Sequence, residues 1–137
     1  MPKIDNLGHG KHHRSTHTVV FDPGEEFLEG MARVAMDEGI EVAGFTAIGG
    51  FSETQLGFYN EETKDFDPID FSADQVEVLS LMGEITREDN GDPHIHGHVV
   101  VGLPDGRAFG GHLLKGVVKP IAIVNLYELT HVPKSHH

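Results

Sequence analysis

Cysteine is absent from the 137 residues. The chain therefore has no disulfide framework, no thiolate metal site and no cysteine nucleophile. Long apolar runs are missing too, since none reaches the ~18 residues that a membrane-spanning helix needs. The opening Met1-Pro2-Lys3-Ile4-Asp5-Asn6 lacks the apolar stretch of a secretory signal. A soluble cytoplasmic protein is the expectation. Positive charge is scarce, with 10 Lys plus Arg against 22 Asp plus Glu and a net charge of −12. The deficit is concentrated: residues 53–92 hold twelve acidic side chains and two basic ones, whereas residues 1–20 and 93–137 are each +2. A DNA duplex carries about one negative charge per 1.7 Å of axis and is repelled by such a block. There is no basic stripe, no zinc-finger spacing and no aromatic-studded RNA-binding motif. No Gly-x-Ser-x-Gly elbow supports a serine triad. Gly49-Gly50 and Gly110-Gly111 are too short for a nucleotide-binding fingerprint.

What is present is glycine (17), proline (7) and a 38% hydrophobic share, the composition of a turn-rich, strand-rich domain. Residues 16–130 read as one domain, 1–15 as a polar, His-rich N-terminal arm and 131–137 as a C-terminal tail. Thr16 to Phe21 is β-branched and aromatic, which suits a first strand. Asp22-Pro23-Gly24-Glu25 predicts a helix start, with Asp22 as cap, Pro23 in the first turn and Glu25 completing a capping-box variant. Phe27, Leu28, Met31, Val34 and Ala35 give that helix, about 23–38, one apolar face, and Gly39 ends it. Strands are expected over 41–48, 54–59, 66–71, 76–86, 94–103, 107–114 and 117–130, the last with a break near Lys119-Pro120. One helix among so many strands predicts an α+β domain with a mostly antiparallel sheet.

The chain has 11 histidines, and histidine is the commonest metal ligand. In Pro93-His94-Ile95-His96-Gly97-His98 the strand period of two places His94, His96 and His98 on one face. Leu103-Pro104-Asp105-Gly106 suits a three-residue hairpin loop with a glycine bulge. If Leu103 pairs with Arg107, His112 falls opposite His98 and diagonal to His96. Cβ atoms at such positions lie about 4.5–5.5 Å and 7–8 Å apart, close enough to share one ion. A two-residue loop would put His112 on the other face. His94 lies roughly 13 Å from His98 along the strand and is the poorer ligand. Three imidazoles with an open position fit a catalytic or ligand-binding zinc site, and other divalent transition metals accept the same donors. His9, His12, His13 and His17 lack a defined scaffold, and His136 and His137 carry no weight as ligands.

Cupins also use an H-x-H pair and a later histidine, but they place a glutamate three or four residues beyond the pair. Here those positions hold Val99, Val100, Val101 and Gly102. A different resemblance fits better. Ala43-Gly44-Phe45-Thr46-Ala47-Ile48-Gly49-Gly50-Phe51, Val76 to Ile85, His96-Gly97-His98 and Asp105 to Leu113 resemble, in this order, the motifs of the plant-and-prokaryote-conserved (PPC) domain family. That family is also called the predicted DNA-binding domain of AT-hook proteins. The resemblance implies an α+β fold assembling as a homotrimer, with a metal site on His96, His98 and His112; His94, which extends the pair to H-x-H-x-H, is a candidate variant ligand. The family's plant members bind DNA through an Arg-Gly-Arg-Pro-type element, which this sequence lacks.

Three functions follow as expectations. The first is a trimeric domain with a three-histidine metal site, zinc by preference, whose open position takes a small ligand. The second is a transcription-related DNA-binding or protein-interaction module. The third is a metal-dependent hydrolase or lyase in which Glu77, Glu84 or Asp92 serves as base beside a metal-bound water.

Overall fold

Alternation of inward and outward side chains dominates the chain, as the sequence pattern demands of strands with one buried face. The computed structural model describes residues 14–71 and 74–129. Its elements are β1 (Arg14–Phe21), α1 (Phe27–Glu38), β2 (Val42–Asn60), β3 (Asp65–Asp70), β4 (Val76–Arg87), β5 (Pro93–Gly102) and β6 (Ala108–Leu129). Every strand pairing is antiparallel. β4 joins β2 to β5, β5 joins β4 to β6, and β6 returns to β2, so four strands close a circuit. β1 extends the sheet from β6 and β3 extends it from β2.

The core lies inside this curled sheet. Phe45 from β2, Leu81 from β4, Val99 and Val101 from β5, and Val124 and Leu126 from β6 are buried. The apolar face of α1 joins them through Phe27, Met31 and Ala35, each fully buried. Phe27 stacks on Phe21 with ring centroids 5.1 Å apart and meets Phe51 edge-on at 6.2 Å. Burying one such side chain stabilises the fold by roughly 1.5–3 kcal/mol.

Three expectations need correction. The helix begins at Phe27, not near Pro23, and its cap is Glu26, whose carboxylate accepts from the Glu29 N–H at 2.9 Å. Asp22 to Glu25 form a turn instead. The Glu25 carboxylate does reach back to the Asp22 N–H (2.7 Å), but Gly24 has φ +90°. Its N–H donates to the Val118 carbonyl, and the Val118 N–H donates to Glu25, both at 2.8 Å. Pairing with β6 thus keeps the segment out of the helix until Glu26. The end of the helix is as expected, with Gly39 at φ +65° closing it through bonds to the Ala35 and Met36 carbonyls.

The second and third corrections are alike. The two strands expected over 41–48 and 54–59 are one strand, β2, and those expected over 107–114 and 117–130 are one strand, β6. Register shifts let each long strand bend and still pair. Gly49 is one such point, at φ +155°, where a Cβ would lie 2.3 Å from the Ile121 carbonyl oxygen.

Candidate metal centre

The hairpin joining β5 to β6 positions the site. The Leu103 N–H donates to the Arg107 carbonyl (2.9 Å) and the Gly106 N–H to the Leu103 carbonyl (2.9 Å), with Gly106 at φ +89°. Asp105 fixes the loop by accepting from the Arg107 N–H (3.0 Å) and from its Nε (2.7 Å). This is the three-residue loop with a glycine bulge, and it sets His98 opposite His112. On the other side of β5, His98 faces Met82, His96 faces Glu84 and His94 faces Thr86.

Inward-facing Gly97 explains why the histidine pair is interrupted by glycine. Gly97 pairs with Gly83 on β4, and the Phe45 ring fills the space above them. A Cβ on Gly83 would lie 2.0 Å from the His96 carbonyl oxygen and 2.7 Å from Phe45 Cζ. Two side-chain-free positions thus let β4, β5 and the core ring approach closely, while the histidines project outward.

On the outer face the His96, His98 and His112 rings gather, and one ring nitrogen from each lies within 4.8 Å of the others. His96 Nε2 and His98 Nε2 are 3.2 Å apart. Two nitrogens on one tetrahedral zinc, at Zn–N of about 2.0–2.1 Å, stand about 3.3 Å apart, so this pair already has ligand spacing. The donor set is three imidazoles and fits a divalent transition metal. His94 is exposed and stands outside the cluster. His17 lies on β1 with Nε2 3.2 Å from Glu128 Oε2. His9, His12, His13, His136 and His137 lie outside the described residues.

Of the three carboxylates considered as a base, Glu84 is the one at the cluster, its Oε1 3.7 Å from His96 Nδ1. Glu77 is displaced along β4, opposite Gly102, and Asp92 belongs to the β4–β5 turn, bonded to Asn90. Burial, reinforced by repulsion from His96, His98 and His94, holds the His112 imidazole below its ordinary protonation range. It therefore presents a neutral nitrogen near neutral pH.

A feature that strand periodicity did not single out is the aromatic wall beside His112. Phe66 on β3 stacks on the His112 ring with centroids 4.2 Å apart and planes 21° apart, and Tyr59 meets Phe66 edge-on at 5.4 Å. Phe66 is the sole aromatic of β3, and only the β2–β3 and β2–β6 registers reveal where it points. Together with Phe58, Met82, Val100 and Ser80, these residues border an outward-facing groove of about 670 Å3 that has His98 and His112 on its floor.

The fold and cluster define a class: an α+β domain of closed antiparallel sheet bearing three outward histidines on adjacent strands. The model of the Plants and Prokaryotes Conserved (PCC) domain matches residues 9–130, and the chain belongs to that family. It is similar to the solved plant- and prokaryote-conserved (PPC) protein of Pyrococcus horikoshii, at 33% identity over 90% of this chain and 85% of that one, with a TM-score of 0.83. A metal-containing protein from Archaeoglobus fulgidus is 27% identical over 93% and 86% of the two chains, with a TM-score of 0.79. A candidate DNA-binding protein from Ralstonia eutropha is 32% identical over 82% and 76%, with a TM-score of 0.72. No curated protein matches the sequence. Among the described residues no helix is long and apolar enough to cross a membrane.

Proposed function

We propose that this is a homotrimeric metal-binding protein, built on one domain over residues 16–130, that holds one divalent ion on His96, His98 and His112. The carrying observation is the convergence of three imidazole nitrogens within 4.8 Å on two paired strands. Zinc is the preferred ion, because three neutral imidazoles with an open position are a common catalytic zinc donor set. The likeness to a protein named as metal-containing supports the same reading. The open position takes water or a small ligand, and when bound the metal supplies a Lewis acid there. Glu84, with Oε1 3.7 Å from His96 Nδ1, stands on the ring's side away from the ion, where closing to hydrogen-bond distance would orient the ring as outer carboxylates commonly do for metal-bound histidine.

Assembly as a trimer is supported by the apolar outer face beside the cluster. Ile48, Leu79 and Ile123 are exposed there and line one shallow depression. Apolar area of this kind commonly marks an interaction surface. Relatives named as candidate DNA-binding proteins favour a second reading, binding of duplex DNA, but the −10 of residues 53–92 opposes it. Elemental analysis of protein purified without a nickel resin tests the main proposal: one zinc per chain is expected. Protein that neither carries nor takes up a divalent ion overturns it. Light scattering that gives the mass of one 15.0 kDa chain overturns the trimer.

A further inference from the structure

The groove at the cluster has a chemical character that narrows what its open position accepts. It runs across β4, β5, β6, β2 and β3, so His98 and His112 sit on its floor, with His96 just beyond it, and apolar side chains form its sides. Phe58 and Phe66 stand at one end, and Met82 and Val100 at the other. Among the described residues, no Lys or Arg lines it. The adjoining depression, which shares Phe58 and Tyr59, carries Glu61, Glu62 and Asp67. A volume of about 670 Å3 lies within the range of small-molecule sites, roughly 300–1,000 Å3.

Charge then selects the ligand. Three neutral imidazoles leave an ion its full +2, and Glu84 beside His96 offsets one unit. The remaining single positive charge suits one anionic oxygen group. A dianion such as a phosphate monoester would need a cationic side chain, and the described lining contains none. It would also meet the acidic side chains of the neighbouring depression. The apolar walls in turn favour a ligand whose body is hydrocarbon. Resting on the metal reading above, we infer that the site binds a monocarboxylate with an aromatic or branched apolar body. The carboxylate takes the open position on the metal, and the body lies along the groove between Phe66 and Met82.

Cobalt(II)-loaded full-length protein provides the test, because visible absorption reports ligand exchange at the ion without requiring turnover. Acetate, 3-phenylpropionate and phenyl phosphate are titrated as probes. The expected result is a spectral change with 3-phenylpropionate at a concentration at least tenfold lower than with acetate, and no comparable gain for phenyl phosphate. Phe58→Ser and Met82→Gln, both at exposed positions, should erase most of that tenfold preference while cobalt stoichiometry stays at one. Equal affinity for acetate and 3-phenylpropionate, or a preference for phenyl phosphate, overturns the inference and leaves the metal reading intact. Absence of bound cobalt by elemental analysis overturns both.

Discussion

The two faces of β5 are built from the same ten residues and obey different rules. Inward, Ile95, Gly97, Val99 and Val101 meet the core, where Val99 and Val101 are almost fully buried. Outward, His94, His96, His98 and Val100 meet solvent, neighbouring side chains and the groove. The inner face is constrained by volume, to the point that Gly83, opposite Gly97, admits no Cβ without displacing the His96 backbone. The outer face is constrained by donor chemistry. Stability and function are therefore separable on one strand, and substitutions on each face test whether they are.

The largest effect is expected inside. Phe27→Ala leaves a hole among Phe21, Phe45 and Phe51 and should cost about 3–5 kcal/mol in denaturant unfolding. Gly83→Ala should cost about 1–3 kcal/mol by overpacking and should weaken metal binding as well, because it displaces the His96 backbone. A metal-free unfolding midpoint unchanged by either substitution would break the inner half of the comparison.

Outside, His112→Ala should lower metal affinity by a factor on the order of 100 while changing metal-free stability by no more than ~1 kcal/mol. Competition with a chromophoric chelator measures the first quantity and denaturant melts the second. A metal-free loss as large as that of Phe27→Ala would show that His112, stacked on Phe66, is held for packing. Glu84→Gln should lower affinity about tenfold through the His96 ring, and His94→Ala should change it little. A larger loss for His94→Ala would bring His94 into the ligand set.

Acidification should act on the outer face alone and by the smallest step. The His112 imidazole is held below its ordinary range, first by burial and then by the other histidines. As pH falls, the unfolded chain takes up this proton before the folded one does. The folding stability tied to His112 is thus complete above about pH 6.5 and declines as pH falls towards the lower folded value. Metal affinity should weaken over the same range, because protons compete for the same nitrogens. Stability that rises on acidification from pH 7 to 5.5 in metal-free protein, and does so less in His112→Ala, would contradict the sign.

Much of this was legible in the sequence, for local reasons. Alternation in His94 to Val101 fixes which side chains share a face, since a strand has only two. The Pro104-Asp105-Gly106 loop fixes the hairpin register, since Gly106 accepts the positive φ that the bulge requires. Those two facts bring His98 opposite His112, and Gly39 likewise marks the end of α1.

Other features depended on segments distant in sequence. The helix starts four residues later than its capping signals suggest because β6 hydrogen-bonds to Gly24 and Glu25. β2 and β6 run unbroken through their glycines because each supplies the other's backbone partners. Glu84 was one of three equivalent carboxylates until the β4–β5 register set it against His96, and Phe66 reached His112 only through β2. Sequence by itself determined what short-range sterics and turn geometry decide: the faces, the hairpin and the three histidines. The tertiary structure decided which carboxylate and which aromatic wall accompany them, because those contacts arise from strand pairings whose register no local signal encodes.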